Sequence, residues 1–290
     1  MSGGVVRQPP SPRMGATVPD RVVRLRVRAV PLRPRSIAAL ALASATGVLA
    51  FGWPLLVPAG SPLALTGDAP WLFVALLPMV LAVVLAGVNE RGIDARAVAM
   101  LGILAAMGAA LRPLGAGAAG IEPVFLPLVP AARVFGRGFG FVLGAVTLLA
   151  SALLTGGVGP WLPFQMLGAA WLGLGAGCLP RAGGRAEIAL LAGYALVAGI
   201  GYGILLDLTV WPFLTATPDG AAAAPGLSFV AGAPLADNLP AFARFAVATS
   251  LGWDLVRGLT LAALTVLSGR AVLVALRRAA RRAVFAPHVD

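Results

Sequence analysis

Residues 155–180 read TGGVGPWLPFQMLGAAWLGLGAGCLP. A glycine-rich turn leads into a helix that begins with Trp161, Pro163, Phe164 and Gln165 and then runs on through mostly small, apolar residues. Polar and aromatic groups are therefore concentrated at one helix end, and the rest of the helix is smooth. That layout suits a membrane protein that binds something better than one that catalyses a reaction. On both sides of the stretch the chain continues in a nearly unbroken apolar helical pattern.

Composition places the whole chain in the same class. Hydrophobic residues make up 59% and charged residues only 11%, with a mean hydropathy of +0.91. Soluble domains carry about a quarter charged residues, so the expectation is an integral membrane protein. All 22 basic residues are arginine, and the net charge is +11. The arginines gather at the ends of apolar segments, where topology and anionic lipid account for them without nucleic acid. One cysteine, Cys178, excludes an internal disulfide. No Cys/His metal constellation can be assembled either. The single histidine, His288, is third from the end of the chain, too far out to orient inside a buried site.

A membrane-crossing helix needs about 20 residues. The apolar runs 37–58, 70–89, 95–113, 121–134, 136–155, 161–180, 187–213 and 239–269 suggest an all-α polytopic bundle of about eight spans. The fourth run is short and carries Pro123, Pro127 and Pro130, so it is expected to bend, which a bundle allows when protein covers the freed backbone. Residues 1–36 hold eight arginines and several prolines and read as a disordered tail; residues 271–290 form a second basic tail. Every arginine except Arg112, Arg244 and Arg257 falls in one of these tails, at the start of the C-terminal segment or in the alternate turns near 90–96, 133–137 and 180–186. The positive-inside rule then puts both termini in the cytoplasm of a multi-pass plasma-membrane protein. The long outer connection, 214–238, reads equally as a lid or as a linker.

Polar groups within spans are costly and mark functional positions. The set here is Arg112, Glu122, Gln165, Asp207, Asn238, Arg244, Asp254 and Arg257. All but Asp254 and Arg257 fall at or within about two turns of the outer helix ends. Trp161, Phe164, Trp211 and Phe213 lie at the same level and can line a cavity or form the interfacial aromatic belt. Arg112 and Glu122 can pair across their turn, and Asp254 and Arg257, at i and i+3, can neutralise each other as an internal pair. Asp207 has no obvious local partner. No serine–histidine pair, metal-protease cluster or phosphate-gripping GxxxxGK[ST] loop occurs, so the chain reads as a non-enzyme without cofactor, and any energy for transport would come from a partner or an ion gradient.

The stretch 95–113, ARAVAMLGILAAMGAALRP, spaces small residues four apart in Ala95/Ala99, Gly102/Ala106/Ala110 and Ala105/Ala109. Such stripes allow close helix approach in lipid, to a partner or within the bundle.

Three segments together resemble a known family: the alanine-striped helix ending in ALRPLGAG, the passage VFGRGFGFVLGAVTLLASALL (134–154), and GGVGPWLPFQMLGAAWLGLGAG (156–177). Residues 95–269 resemble the substrate-specificity subunit (S component) of energy-coupling factor (ECF) transporters, the ABC-type vitamin importers. The resemblance implies a six-helix core over 91–270 that captures a vitamin or precursor outside, the best guess being a cobalamin-related one. The core would then topple in the membrane, carried by a transmembrane coupling subunit and cytoplasmic ATPases. It also implies that Arg112, Glu122, Trp161, Gln165 and Asn238 surround the ligand. Ala95, Ala99, Ala105 and Ala109 would meet the coupling subunit. With Phe164, Asp207, Trp211 and Arg244 these make up the candidate site. The spans 37–58 and 70–89 and the arginine tail are departures from the family pattern. A ligand-free membrane scaffold and an ion-coupled secondary carrier are the rival readings, the carrier weakened by the lack of a visible internal repeat.

Overall fold

The computed structural model describes residues 34–56, 82, 95–115, 119–215 and 226–284. Among them the regular structure is entirely helical: α1 (Pro34–Leu56), α2 (Ala95–Leu111), α3 (Leu128–Phe135), α4 (Arg137–Thr155), α5 (Leu162–Cys178), α6 (Gly184–Thr215), α7 (Leu235–Phe245) and α8 (Leu251–Val284), with short 3-10 turns after α2 and before α3. Four helical segments are long and apolar enough to cross a membrane: Ala95–Gly115, Arg137–Thr155, Gly184–Thr215 and Leu235–Arg281. Shorter apolar helices cover Leu40–Leu56 and Pro123–Phe135, and α5 has 17 residues. The span expected at 70–89 lies outside the described residues apart from Ala82, as do most of the N-terminal tail, His288, and residues 216–225 of the long connection.

Backbone contact at glycine builds the bundle. α4 and α5 form its most extensive pairing. At their crossing a Cβ on Gly140 or Gly173 would overlap the carbonyl of the other. α6 and α8 are the next pair, and there a Cβ on Gly199 would come within 2.9 Å of the Gly258 Cα. In lipid no hydrophobic driving force separates helix from solvent, so such close approach supplies the dispersion contacts that hold helices together.

Pro123 and Pro127 divide the fourth apolar run into a 3-10 turn, Pro123–Phe125, and the two-turn helix α3, whose first turn contains Pro130. Each proline withdraws one backbone donor and fixes φ, which interrupts the helix at Pro127 and is tolerated at Pro130, where a first-turn N–H has no intrahelical partner. Val124, Phe125 and every residue of Leu128–Ala132 are buried, and α3 packs against α4, α5 and α8. The irregular backbone is thereby enclosed by protein, the setting in which it is tolerated at membrane depth.

α1 belongs to this same core. Phe51 meets Phe164 edge-on at 5.1 Å and Trp171 at 5.4 Å, and the Trp171 Nε1–H donates to Ser44 Oγ at 3.1 Å.

At the arginine-rich end the helices are pinned by one carboxylate. Glu187, in the first turn of α6, accepts from Arg133 Nε on α3 at 2.9 Å and from Arg277 Nη2 on α8 at 2.6 Å. Arg133 also donates through Nη1 to the Leu179 carbonyl just past α5 at 3.0 Å. One buried acid thus ties four chain segments, with the hydrogen-bonding it needs to offset its desolvation.

Candidate functional site

The opposite end of the bundle holds a second charged group, assembled from five segments. α2 finishes in a 3-10 turn whose first residue is Arg112, and Arg112 Nη2 reaches Gln165 Oε1, in the first turn of α5, at 3.5 Å. The chain then turns through Gly120, whose φ of +84° suits glycine and whose Cβ position is filled by the Trp253 backbone. That close fit onto α8 sets Glu122 beside Arg257, with Oε1 accepting from Nη2 at 3.1 Å. Arg257 also bonds Asp254 one turn earlier through Nη1, and its guanidinium lies 5.6 Å from the centre of the Tyr202 ring on α6.

Asp207 completes the group from α6, beside Asp254 and Ser250. Ser250 ends a π-helical turn, Ala246–Ser250, that joins α7 to α8. Such insertions reorient the side chains that follow and are frequent at functional sites. Gly203 makes room for the group: a Cβ there would overlap the Asp254 carboxylate.

Hydrogen bonding in this cluster is incomplete. With both aspartates ionised, Asp207 Oδ2, Asp254 Oδ2 and Arg257 Nε are buried without a hydrogen-bond partner among the described residues, and a single proton would let the two adjacent carboxyls bond each other. Buried polar atoms normally have partners, and unsatisfied ones call for an explanation. The exposure is graded: Asp254 and Arg257 are buried, whereas the Glu122 side chain keeps 36% of its surface. The cluster therefore runs from an open rim inward.

Next to it along α6 stands an aromatic group. Gly203, Asp207 and Trp211 are four apart and share one helix face. Trp211 packs edge-on with Phe229 at 5.4 Å and contacts Phe242 at 5.4 Å, while Trp53 of α1 lies 6.1 Å from Phe213 and 6.0 Å from Phe229. The Trp53 indole N–H is buried and makes no hydrogen bond among the described residues.

The residues singled out from sequence divide into three groups. Arg112, Glu122, Gln165 and Asp207 come together as the polar cluster. Trp211, Asn238 and Arg244 hold the second part of the long connection: Trp211 Nε1 donates to Leu227 O at 2.7 Å, and Arg244 Nε donates to Gly226 O at 2.8 Å. Asn238 spans the Val230 peptide, accepting from its N–H at 3.1 Å and donating to its carbonyl at 2.8 Å. The third group comprises two residues of the α5 start. Phe164 is in the core, 1% exposed, and Trp161 is 49% exposed with its indole donating to Gly157 O at 3.2 Å.

On α2 the small residues split between two faces. Ala105 and Ala109 are buried within the bundle, while Ala95, Ala99, Gly102, Ala106 and Ala110 are exposed.

Sequence reading set Asp254 and Arg257 aside as an internal pair and weighed an Arg112–Glu122 pair. The structure contains the Asp254–Arg257 pair and adds Glu122 to it, whereas Arg112 bonds Gln165 and not Glu122. Tyr202 and Trp53 were not anticipated. Both are aromatic residues inside apolar runs, and no local pattern separates them from ordinary core. No family model, curated protein or solved structure matches this chain.

Proposed function

We propose that the chain is a membrane-embedded solute-capture subunit of ECF type, with about eight spans and both termini in the cytoplasm. It binds a vitamin or vitamin precursor from outside and delivers it with a separate coupling subunit and ATPases. The observation that carries this reading is the pairing of an incompletely bonded polar cluster with a buried aromatic group at one end of the bundle. A zwitterionic, partly aromatic or macrocyclic solute offers both kinds of partner, and a corrinoid precursor is the first candidate. Polar atoms that a bound solute would satisfy, lying beside apolar surface, are the ordinary makeup of a small-molecule site.

Two further features support it. The 226–238 segment, clamped by Trp211, Asn238 and Arg244, lies against the aromatic group through Phe229. α2 presents an exposed stripe of small residues that suits contact with another membrane helix.

The test is native mass spectrometry of the full chain with a panel of vitamins and corrinoid precursors. A single retained adduct, weakened in Arg112→Ala and Gln165→Ala, is expected. A protein that stays free of every solute in the panel would shift the reading to a scaffold.

The juxtaposition of Asp207 and Asp254 favours a second reading, an ion-coupled carrier, because intramembrane carboxylates commonly serve cation or proton pathways. Uptake by the chain alone in liposomes, driven by an ion gradient without ATPases, would establish that reading instead.

A further inference from the structure

At the Glu187 end, a groove of about 630 Å³ opens between α6 and α8. Ile188, Leu273 and Val274 form an apolar floor, and Arg185, Arg270 and Arg277 also line it. A neighbouring depression of about 570 Å³ shares Arg270 and Val274 and extends along α8 to Arg278. The two make a continuous strip along one helix.

Charge along the strip is uncompensated. Glu187 is the acid at its edge, and both Arg133 and Arg277 already bind the same oxygen of it. Arg185, Arg270 and Arg278 have no acidic partner among the described residues. A small anion would answer the arginines and leave the apolar floor bare. A neutral lipid would cover the floor and leave the arginines unanswered. One molecule of mixed character meets both demands.

The depth agrees. Arg257 and Arg277 are separated by about 30 Å along α8 at 1.5 Å per residue, which is about one hydrocarbon thickness. With the Arg257 cluster near one interface, Arg277 falls at headgroup level on the other. Arg270 lies about 10 Å nearer the midplane, a distance that its long side chain can largely cover. Basic pockets between membrane helices on the cytoplasmic side are suited to anionic headgroups.

We propose that this groove binds an anionic phospholipid, its phosphate held by Arg185 and Arg270 and an acyl chain running inward from there along Ile188 and Val266. The site is independent of the solute site and stands or falls separately from it.

The experiment uses the full chain in neutral detergent, titrated with phosphatidylglycerol, phosphatidylcholine or inorganic phosphate and read by native mass spectrometry. Phosphatidylglycerol is expected to be retained in preference to phosphatidylcholine. The double variant Arg185→Gln/Arg270→Gln should lower its retention at least about tenfold, given what each basic residue contributes near an anionic headgroup. Ala189→Trp, which fills the groove without changing charge, should lower it as well. Arg137→Gln/Arg181→Gln removes the same charge from two positions outside the groove lining and should leave retention within about twofold.

Equal loss in that control pair would overturn the proposal in favour of diffuse surface charge. Equal retention of the two lipids, or displacement of phosphatidylglycerol by inorganic phosphate, would also overturn it. Failure of vitamin binding in the same preparation has no bearing on any of these outcomes.

Discussion

α8 carries a charged cluster near each end, and the two are built to opposite rules. At Glu187 the bonded carboxylate oxygen holds two arginines, one of which also closes the end of α5, and no buried side-chain atom of the trio lacks a hydrogen bond. At Arg257 the guanidinium pairs with Glu122 and Asp254, yet Asp207 forms no ion pair, and with both aspartates ionised one oxygen of each and the guanidinium Nε lack a hydrogen-bond partner among the described residues. The first arrangement is a fastening, complete in itself. The second leaves hydrogen-bonding capacity unspent, which water, a proton shared by the two aspartates or the proposed solute would use. Charged residues in a membrane bundle are therefore told apart by their remaining capacity, more than by their depth.

The contrast can be broken most sharply at Glu187. Glu187→Ala leaves Arg133 buried without its counter-charge and is expected to cost about 3–5 kcal/mol. Denaturation of the detergent-solubilised protein measures this, and wild-type stability in the variant would remove the idea of a fastening.

At the other cluster, Arg112→Ala and Gln165→Ala should each weaken solute binding by roughly tenfold or more, as for hydrogen bonds involving a charged group. Stability should change by less than about 1 kcal/mol, since their mutual bond of 3.5 Å is long. Calorimetric titration with the solute found by mass spectrometry gives the first number. A large stability loss with unchanged affinity would make this cluster a fastening too.

The same distinction between used and unused surface recurs on α2. Ala105→Leu overfills a buried position and should cost about 1–3 kcal/mol. Ala106→Leu, on the exposed stripe, should leave the fold and solute binding intact while lowering ATP-driven uptake in cells that hold the complete transporter. Normal uptake in Ala106→Leu would remove the stripe as a partner surface.

Asn238→Ala should have a modest and local effect, about 1–2 kcal/mol, because it frees both polar groups of one peptide. Hydrogen exchange at the Val230 amide should accelerate, and an unchanged rate would mean that the clamp is not held in solution.

The helical class and the ends at which charge collects were legible in the sequence, because apolar run length and arginine placement are local properties. So was most of the polar cluster: Arg112, Glu122, Gln165 and Asp207 were recognisable as costly residues inside apolar runs. Their partners were not. The Arg257–Glu122 pair joins residues 135 positions apart, and Arg112–Gln165 joins residues 53 apart. The first depends on where Gly120 and Gly203 let a turn and two helices approach, and the second on how α2 and α5 are placed, neither of which a linear pattern encodes. The assignment of Trp211, Asn238 and Arg244 to the clamp was hidden for a related reason: their partners are backbone carbonyls and amides, which every residue possesses.

The chain by itself determined that it folds as apolar helices with arginine at one side and costly polar residues toward the other. Hydropathy and charge act residue by residue and need no neighbour to be read. Only the tertiary structure decided which arginine meets which acid, which alanines face inward, and which polar atoms remain unspent. Those outcomes follow from helix packing at glycine, where removing one side chain lets two distant backbones meet.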